Sequence, residues 1–100
     1  MYKQTGQNDA YPDTVDIWCL GWEVPEWLSD RARVKFIDGE GNKTIEVIEE
    51  PNGGFSIIDS GGSDRLVTTK TKTSIICFGD SKIFALTGKQ FEILYSRRGG

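Results

Sequence analysis

Cys77-Phe78-Gly79-Asp80-Ser81-Lys82-Ile83-Phe84-Ala85-Leu86-Thr87-Gly88-Lys89-Gln90-Phe91-Glu92-Ile93-Leu94-Tyr95 is the stretch whose reading decides the fold. Gly79-Asp80 is a turn signal between two short apolar runs, which predicts a hairpin. Thr87 followed three residues later by Gln90 is a capping box, so a short helix opens there. Phe91, Leu94 and Tyr95 share one face of that helix, which must therefore pack on the strands before it. A hairpin closed by an amphipathic turn of helix is a unit of an α+β fold.

Working backwards, Arg33–Ile37 and Thr44–Ile48 alternate in hydrophobicity around Asp38-Gly39-Glu40-Gly41-Asn42. Pairing Phe36 with Ile45 and Val34 with Val47 places Lys35 opposite Glu46, so pattern and charge favour one register. Pro51-Asn52-Gly53-Gly54 predicts a turn, Phe55–Ile58 a strand, and Asp59–Ser63 a loop. Strand character resumes at Arg65–Thr71 and again at Thr73–Phe78. Upstream, Thr14–Leu20 reads as the first strand, and Pro25 is placed as the first residue of a short helix reaching about Arg31. The expected fold is a small α+β domain over residues 14–95, mostly antiparallel sheet in a meander of short strands with two short helices. Residues 1–13 are expected to form an extended arm with little core of its own, and residues 96–100 a frayed tail.

Several of these segments carry a resemblance. The turn, strand, Thr-x-x-Gln-Phe and closing Tyr95 resemble the end of small phage-encoded proteins marked by a Gly-Asp-aromatic motif, a strand, then Phe-Glu and Tyr. Gln4-Thr5-Gly6-Gln7-Asn8 is similar to their Gln-aromatic-Thr-Gly-x-Asn opening, Pro25-Glu26-Trp27-Leu28 to a short amphipathic turn, and Leu66-Val67-Thr68-Thr69 to a penultimate strand. The chain departs from the pattern at Ser81, where an aromatic is usual, and lacks the glycine-rich and Cys-Pro stretch that often follows. The resemblance implies a phage accessory protein acting in the host cytoplasm.

Composition narrows the chemistry. One hundred residues with 37% apolar content support a single modest core. No apolar run approaches the length of about 18 residues that a membrane helix requires. The chain has no histidine, which removes the commonest general base and the usual partner of a Ser or Cys nucleophile. Carboxylate pairs at Asp13 and Asp16, at Glu46 with Glu49 and Glu50, and at Asp59 with Asp64 lie in turns or exposed strands. Cys19 and Cys77 each sit inside an apolar run and read as buried free thiols. No metal-ligand spacing, phosphate-binding glycine loop or nucleophile elbow is present, so no cofactor and no enzymatic activity are expected.

What remains is a binding vocabulary. Trp18, Trp22 and Trp27 lie within ten residues, and Arg31, Arg33, Lys35, Arg65, Lys70 and Lys72 are spaced along nearby segments. Aromatic faces stack on bases, while Arg and Lys meet phosphates. Trp18 and Trp27 read as core. Trp22 follows Gly21 in a connection and either caps the core or faces a partner, and Tyr11 beside Pro12 carries the same two readings. On the predicted strand, Lys70 and Lys72 fall on one face and Arg65 and Thr69 on the other. Such a strand either cradles a phosphate or is an edge protected by its lysines. A net charge of −3 argues against binding long nucleic acid. A small anionic ligand needs only a local pocket, which a homo-oligomer can complete.

Two functions from different classes fit these features. The first is a non-enzymatic binder that sequesters a cyclic-dinucleotide-class second messenger of bacterial antiphage signalling, by analogy with anti-CBASS-type sponges, through Tyr11, Trp22, Arg65, Thr69, Lys70 and Lys72. The second is an inhibitor that docks a host protein through Glu46, Glu49, Glu50 and the exposed hairpin edge.

Overall fold

A central antiparallel sheet carries the molecule, and each of its faces is closed by a different apolar cluster. A computed structural model describes residues 1–97. In chain order the elements are β1 (Tyr2–Gln4), β2 (Thr14–Trp18), α1 (Glu26–Ser29), β3 (Val34–Ile37), β4 (Lys43–Ile45), β5 (Val47–Glu49), β6 (Phe55–Ile58), β7 (Arg65–Thr68), β8 (Ile75–Gly79), β9 (Lys82–Leu86), α2 (Gly88–Leu94) and β10 (Tyr95–Arg97). The sheets run β10-β1-β2-β8-β9, β3-β4 and β5-β6-β7, all antiparallel. The α+β architecture with two short helices matches the expectation from sequence. No helix among the described residues is long and apolar enough to cross a membrane.

Strand alternation explains the two clusters. Val15, Ile17, Ile75 and Cys77 point to one face, where Leu86, Phe91 and Tyr95 complete a cluster beneath α2. Trp18 and Ile76 point to the other, where Leu28, Ala32, Ile45, Phe55 and Ile57 close over them. β8 is thus apolar on both faces, as its Ile-Ile-Cys-Phe run demands. The α2 helix starts as predicted. Gln90 N donates to Thr87 Oγ1 at 3.1 Å while Thr87 N donates to Gln90 Oε1 at 3.0 Å. The β8–β9 hairpin also forms, turning on Asp80 and Ser81 at φ of 50° and 62°, the geometry of a two-residue primed turn.

Several boundaries and one register differ from the sequence reading. The arm is not peripheral: β1 lies between β10 and β2, with Lys3 paired to Ser96 on one side and to Thr14 on the other. The expected tail begins inside β10, and residues 98–100 lie outside the described residues. In the central hairpin Val34 pairs with Ile45 and Phe36 with Thr44, and Lys35 is the extra residue of a bulge. The predicted single strand Thr44–Ile48 breaks at Glu46. There Glu46 N donates to Arg33 O at 2.8 Å and Ile58 N donates to Glu46 O at 3.1 Å. Beyond Glu46 the chain leaves β3 and pairs with β6 instead. The Lys35–Glu46 contact survives the altered register at 4.0 Å.

The strand expected to carry Lys70 and Lys72 also differs. β7 ends at Thr68, and residues 69–74 form a turn held by Thr69. Thr69 is buried, and its hydroxyl accepts from Phe55 N at 2.9 Å and donates to Thr71 O at 3.0 Å. Pro25 caps α1 from outside instead of forming its first residue.

Candidate functional site

Trp22 is held by a tight connection after β2. Trp22 N donates to Cys19 O at 3.0 Å, closing a turn that needs Gly21 at φ +90°, a conformation open to glycine at little cost. The buried Trp18 indole N–H then donates to Trp22 O at 3.1 Å. One tryptophan thereby fixes the backbone of the other, and the Trp22 side is left 51% exposed.

This exposed ring lines a cleft of about 480 Å³ between the Leu20–Val24 connection and β4. Trp18, Val24, Ile45 and Val47 supply its apolar lining, and Lys35, Lys43, Asn42 and Thr44 its polar lining. Glu23 is the one carboxylate among the lining residues. Lys35 reaches Glu46 at 4.0 Å, the limit of an ion pair, and Lys43 forms no ion pair among the described residues. A cleft lined by an indole and two lysines suits a planar ring that carries negative charge. Stacking of a base on an aromatic side chain contributes about 1–3 kcal/mol.

Of the six predicted binding residues, only Trp22 lies in this cleft. Tyr11, Thr69 and Lys70 line a separate groove of about 240 Å³ with Ser74, Thr87 and Gln90. The Thr69 hydroxyl already donates and accepts within the fold, so it has no free donor for a ligand. Lys72 pairs with Glu49 at 3.2 Å. Arg65 donates to Glu50 through Nε at 2.6 Å and through a second nitrogen at 3.3 Å.

The Arg65–Glu50 pair is structural. Glu50 also accepts a short hydrogen bond from Ser56, and the Ser56 hydroxyl meets Thr68 Oγ1 at 2.9 Å. The pair covers a hydroxyl that is 0% exposed and ties the three strands of this sheet together. The hydrogen bonds from Arg65, then Ser56, hold the Glu50 carboxyl below the usual carboxylate range. A lowered folded-state value means the contribution is complete above the unfolded value of about 4.3 and is lost as pH falls through the folded value. Glu50→Gln is expected to lower the melting temperature at pH 7, and the gap to the parent should narrow progressively as the pH falls below about 4. A gap that is unchanged across that range would reject the assignment.

Lys43 and Asn42 were not among the residues singled out from sequence. The fold brings them into one cleft lining with Trp22, which no local pattern shows. Neither thiol is activated as a nucleophile. Burial pushes the Cys77 thiol up to about 12, and burial also raises that of Cys19. No grouping of three or more His, Cys, Asp or Glu able to hold a metal occurs among the described residues. No protein-family model, curated protein or solved structure matches this chain.

Proposed function

We propose that this chain is a non-enzymatic phage immune-evasion protein that binds and sequesters a cyclic-nucleotide second messenger in the host cytoplasm, with the Trp22 cleft as its site. One observation carries the reading: a half-exposed indole faces a cleft that also holds Lys35 and Lys43. The phage resemblance of Gln4–Asn8 and of Gly79–Tyr95 supports the setting, and the lack of histidine supports sequestration over turnover.

Native mass spectrometry of the untagged protein with a panel of cyclic di- and trinucleotides tests it, reporting stoichiometry and intact ligand mass together. The expected result is an oligomer that retains unmodified ligand. Trp22→Ala should then weaken binding by about tenfold or more, the equivalent of one lost stack, without changing the melting temperature much. No binding across the panel would overturn the reading, and a changed ligand mass would make the protein an enzyme.

A second reading has its own observation. Phe36 and Ile37 on the β3–β4 hairpin are 61% and 55% exposed, and such residues mark contact surfaces. Host-protein inhibition would use these apolar side chains. The acidic patch is less available to it, because Glu46, Glu49 and Glu50 face Lys35, Lys72 and Arg65.

A further inference from the structure

We infer that the free edge of β9 is a docking site for an extended peptide segment of a partner protein, added antiparallel to Lys82–Leu86. The segment would carry an acidic residue toward its N-terminal side and a basic residue about four positions later. This site is separate from the Trp22 cleft and does not rest on the nucleotide reading.

The backbone provides the first argument. The two-residue turn makes Gly79 and Lys82 a hydrogen-bonded pair, and the alternation of an antiparallel ladder then makes Cys77–Phe84 and Ile75–Leu86 the next such pairs. Ile83 and Ala85 therefore direct their N–H and C=O groups away from β8. β9 is the last strand of its sheet, and among the described residues nothing hydrogen-bonds these outward groups. Two donors and two acceptors at alternate residues are the pattern that strand addition satisfies.

The shape provides the second. A cleft of about 620 Å³ lies along Lys82, Ile83, Phe84 and Ala85, with Asp9, Ala10, Tyr11 and Pro12 as its far wall. The smaller groove holding Lys70 continues from it, sharing Tyr11 and Ala85. The edge is thus recessed between a loop and the end of β7, which admits one strand more readily than the sheet edge of a second copy. Tyr11 leans on Phe84 with ring centroids 5.7 Å apart, so the wall is itself anchored.

Charge sets direction. Asp80 stands at the Lys82 end, Asp9 lies in the far wall of the cleft, and Lys70 stands at the Leu86 end. Among the described residues none of these three is in an ion pair. Antiparallel addition, the commoner mode, runs a segment from the Lys70 end to the Asp80 end. An acid first and a base later match that polarity. Four residue steps at about 3.4 Å each cover the strand, which fixes the spacing.

Selection of a displayed library of random twelve-residue peptides on the immobilised full-length protein, followed by titration of the synthetic winners, tests the inference. Winners are expected to share the acid-to-base spacing. Ala85→Pro removes one outward N–H without touching the β8 ladder, a substitution that edge strands tolerate, and should weaken binding about tenfold. Lys70→Glu, which leaves the backbone untouched, should weaken the winners and favour peptides with the acid replaced by lysine. Trp22→Ala should leave peptide binding unchanged. Failure to enrich any peptide, or winners that bind Ala85→Pro and Lys70→Glu like the parent, would overturn the proposal.

Discussion

Gly54→Ala is expected to destabilise the protein by about 3 kcal/mol or more, the upper range for forcing extra atoms into a packed interior. A β-carbon at Gly54 would lie 2.1 Å from the Thr69 carbonyl oxygen, 2.6 Å from its carbon and 2.8 Å from the Lys70 carbonyl carbon. All three are backbone atoms, so no side chain can rotate aside. The loop could move only by giving up Thr69 N to Phe55 O at 2.8 Å and Phe55 N to Thr69 Oγ1 at 2.9 Å. Phe55 is 1% exposed, and those bonds fix its backbone at the centre of one core cluster. For a chain of this size the loss corresponds to a melting temperature lower by more than about 10 °C. Gly62→Ala is the control, because a β-carbon there meets nothing within 4 Å and its effect should stay within about 0.5 kcal/mol. Equal melting temperatures for the two variants would show that the Gly54–Thr69 approach is not what holds this turn.

The same turn shows where sequence reasoning ran out. Capping at Thr87 and the turn after Gly79 are decided within a few residues, and both were legible. Glu46 is different, because its choice between β3 and β6 depends on Ile58, twelve residues away, and no local pattern carries that information. Alternation extended the strand through Lys70 and Lys72, but the buried Thr69 hydroxyl serves the backbone of Phe55 and ends the ladder. Arg65 was legible as a cation and not as the partner of Glu50, since fifteen residues separate them. Trp22 was found because glycine before a large aromatic in a connection is an unusual local feature. Lys43, which lines the same cleft, sits at the start of β4 with no local feature that marks it.

Gln4→Leu should cost about 2–3 kcal/mol although it preserves side-chain size and adds apolar surface, because it strands buried polar groups. Gln4 is 6% exposed inside the segment that composition marks as an arm. Its amide nitrogen approaches Asn8 O at 3.0 Å, Tyr11 O at 2.8 Å and Pro12 O at 3.0 Å, while its oxygen accepts from Asn8 N at 2.8 Å. One side chain therefore ties down residues 8–12, and Gln4 and Asn8 bond each other. Pro12 O keeps a second donor, the buried Tyr95 hydroxyl at 2.7 Å, so the loss is smaller than the number of bonds implies. Gln4→Glu separates hydrogen bonding from packing. A carboxylate there would face carbonyl oxygens, which raises its folded-state value above the unfolded value of about 4.3. A raised value makes the variant most stable below that pH and progressively weaker as pH rises through the folded value. Thermal melts from pH 4 to pH 8 should therefore show Gln4→Glu falling away from the parent while Gln4→Leu keeps a nearly constant gap. Parallel behaviour of the two variants would mean that the carbonyls of residues 8–12 do not converge on this side chain. Tyr11 and Pro12 also wall the β9 cleft, so loosening of this loop should weaken peptide binding in both variants at pH 7 and leave the Trp22 cleft unaffected.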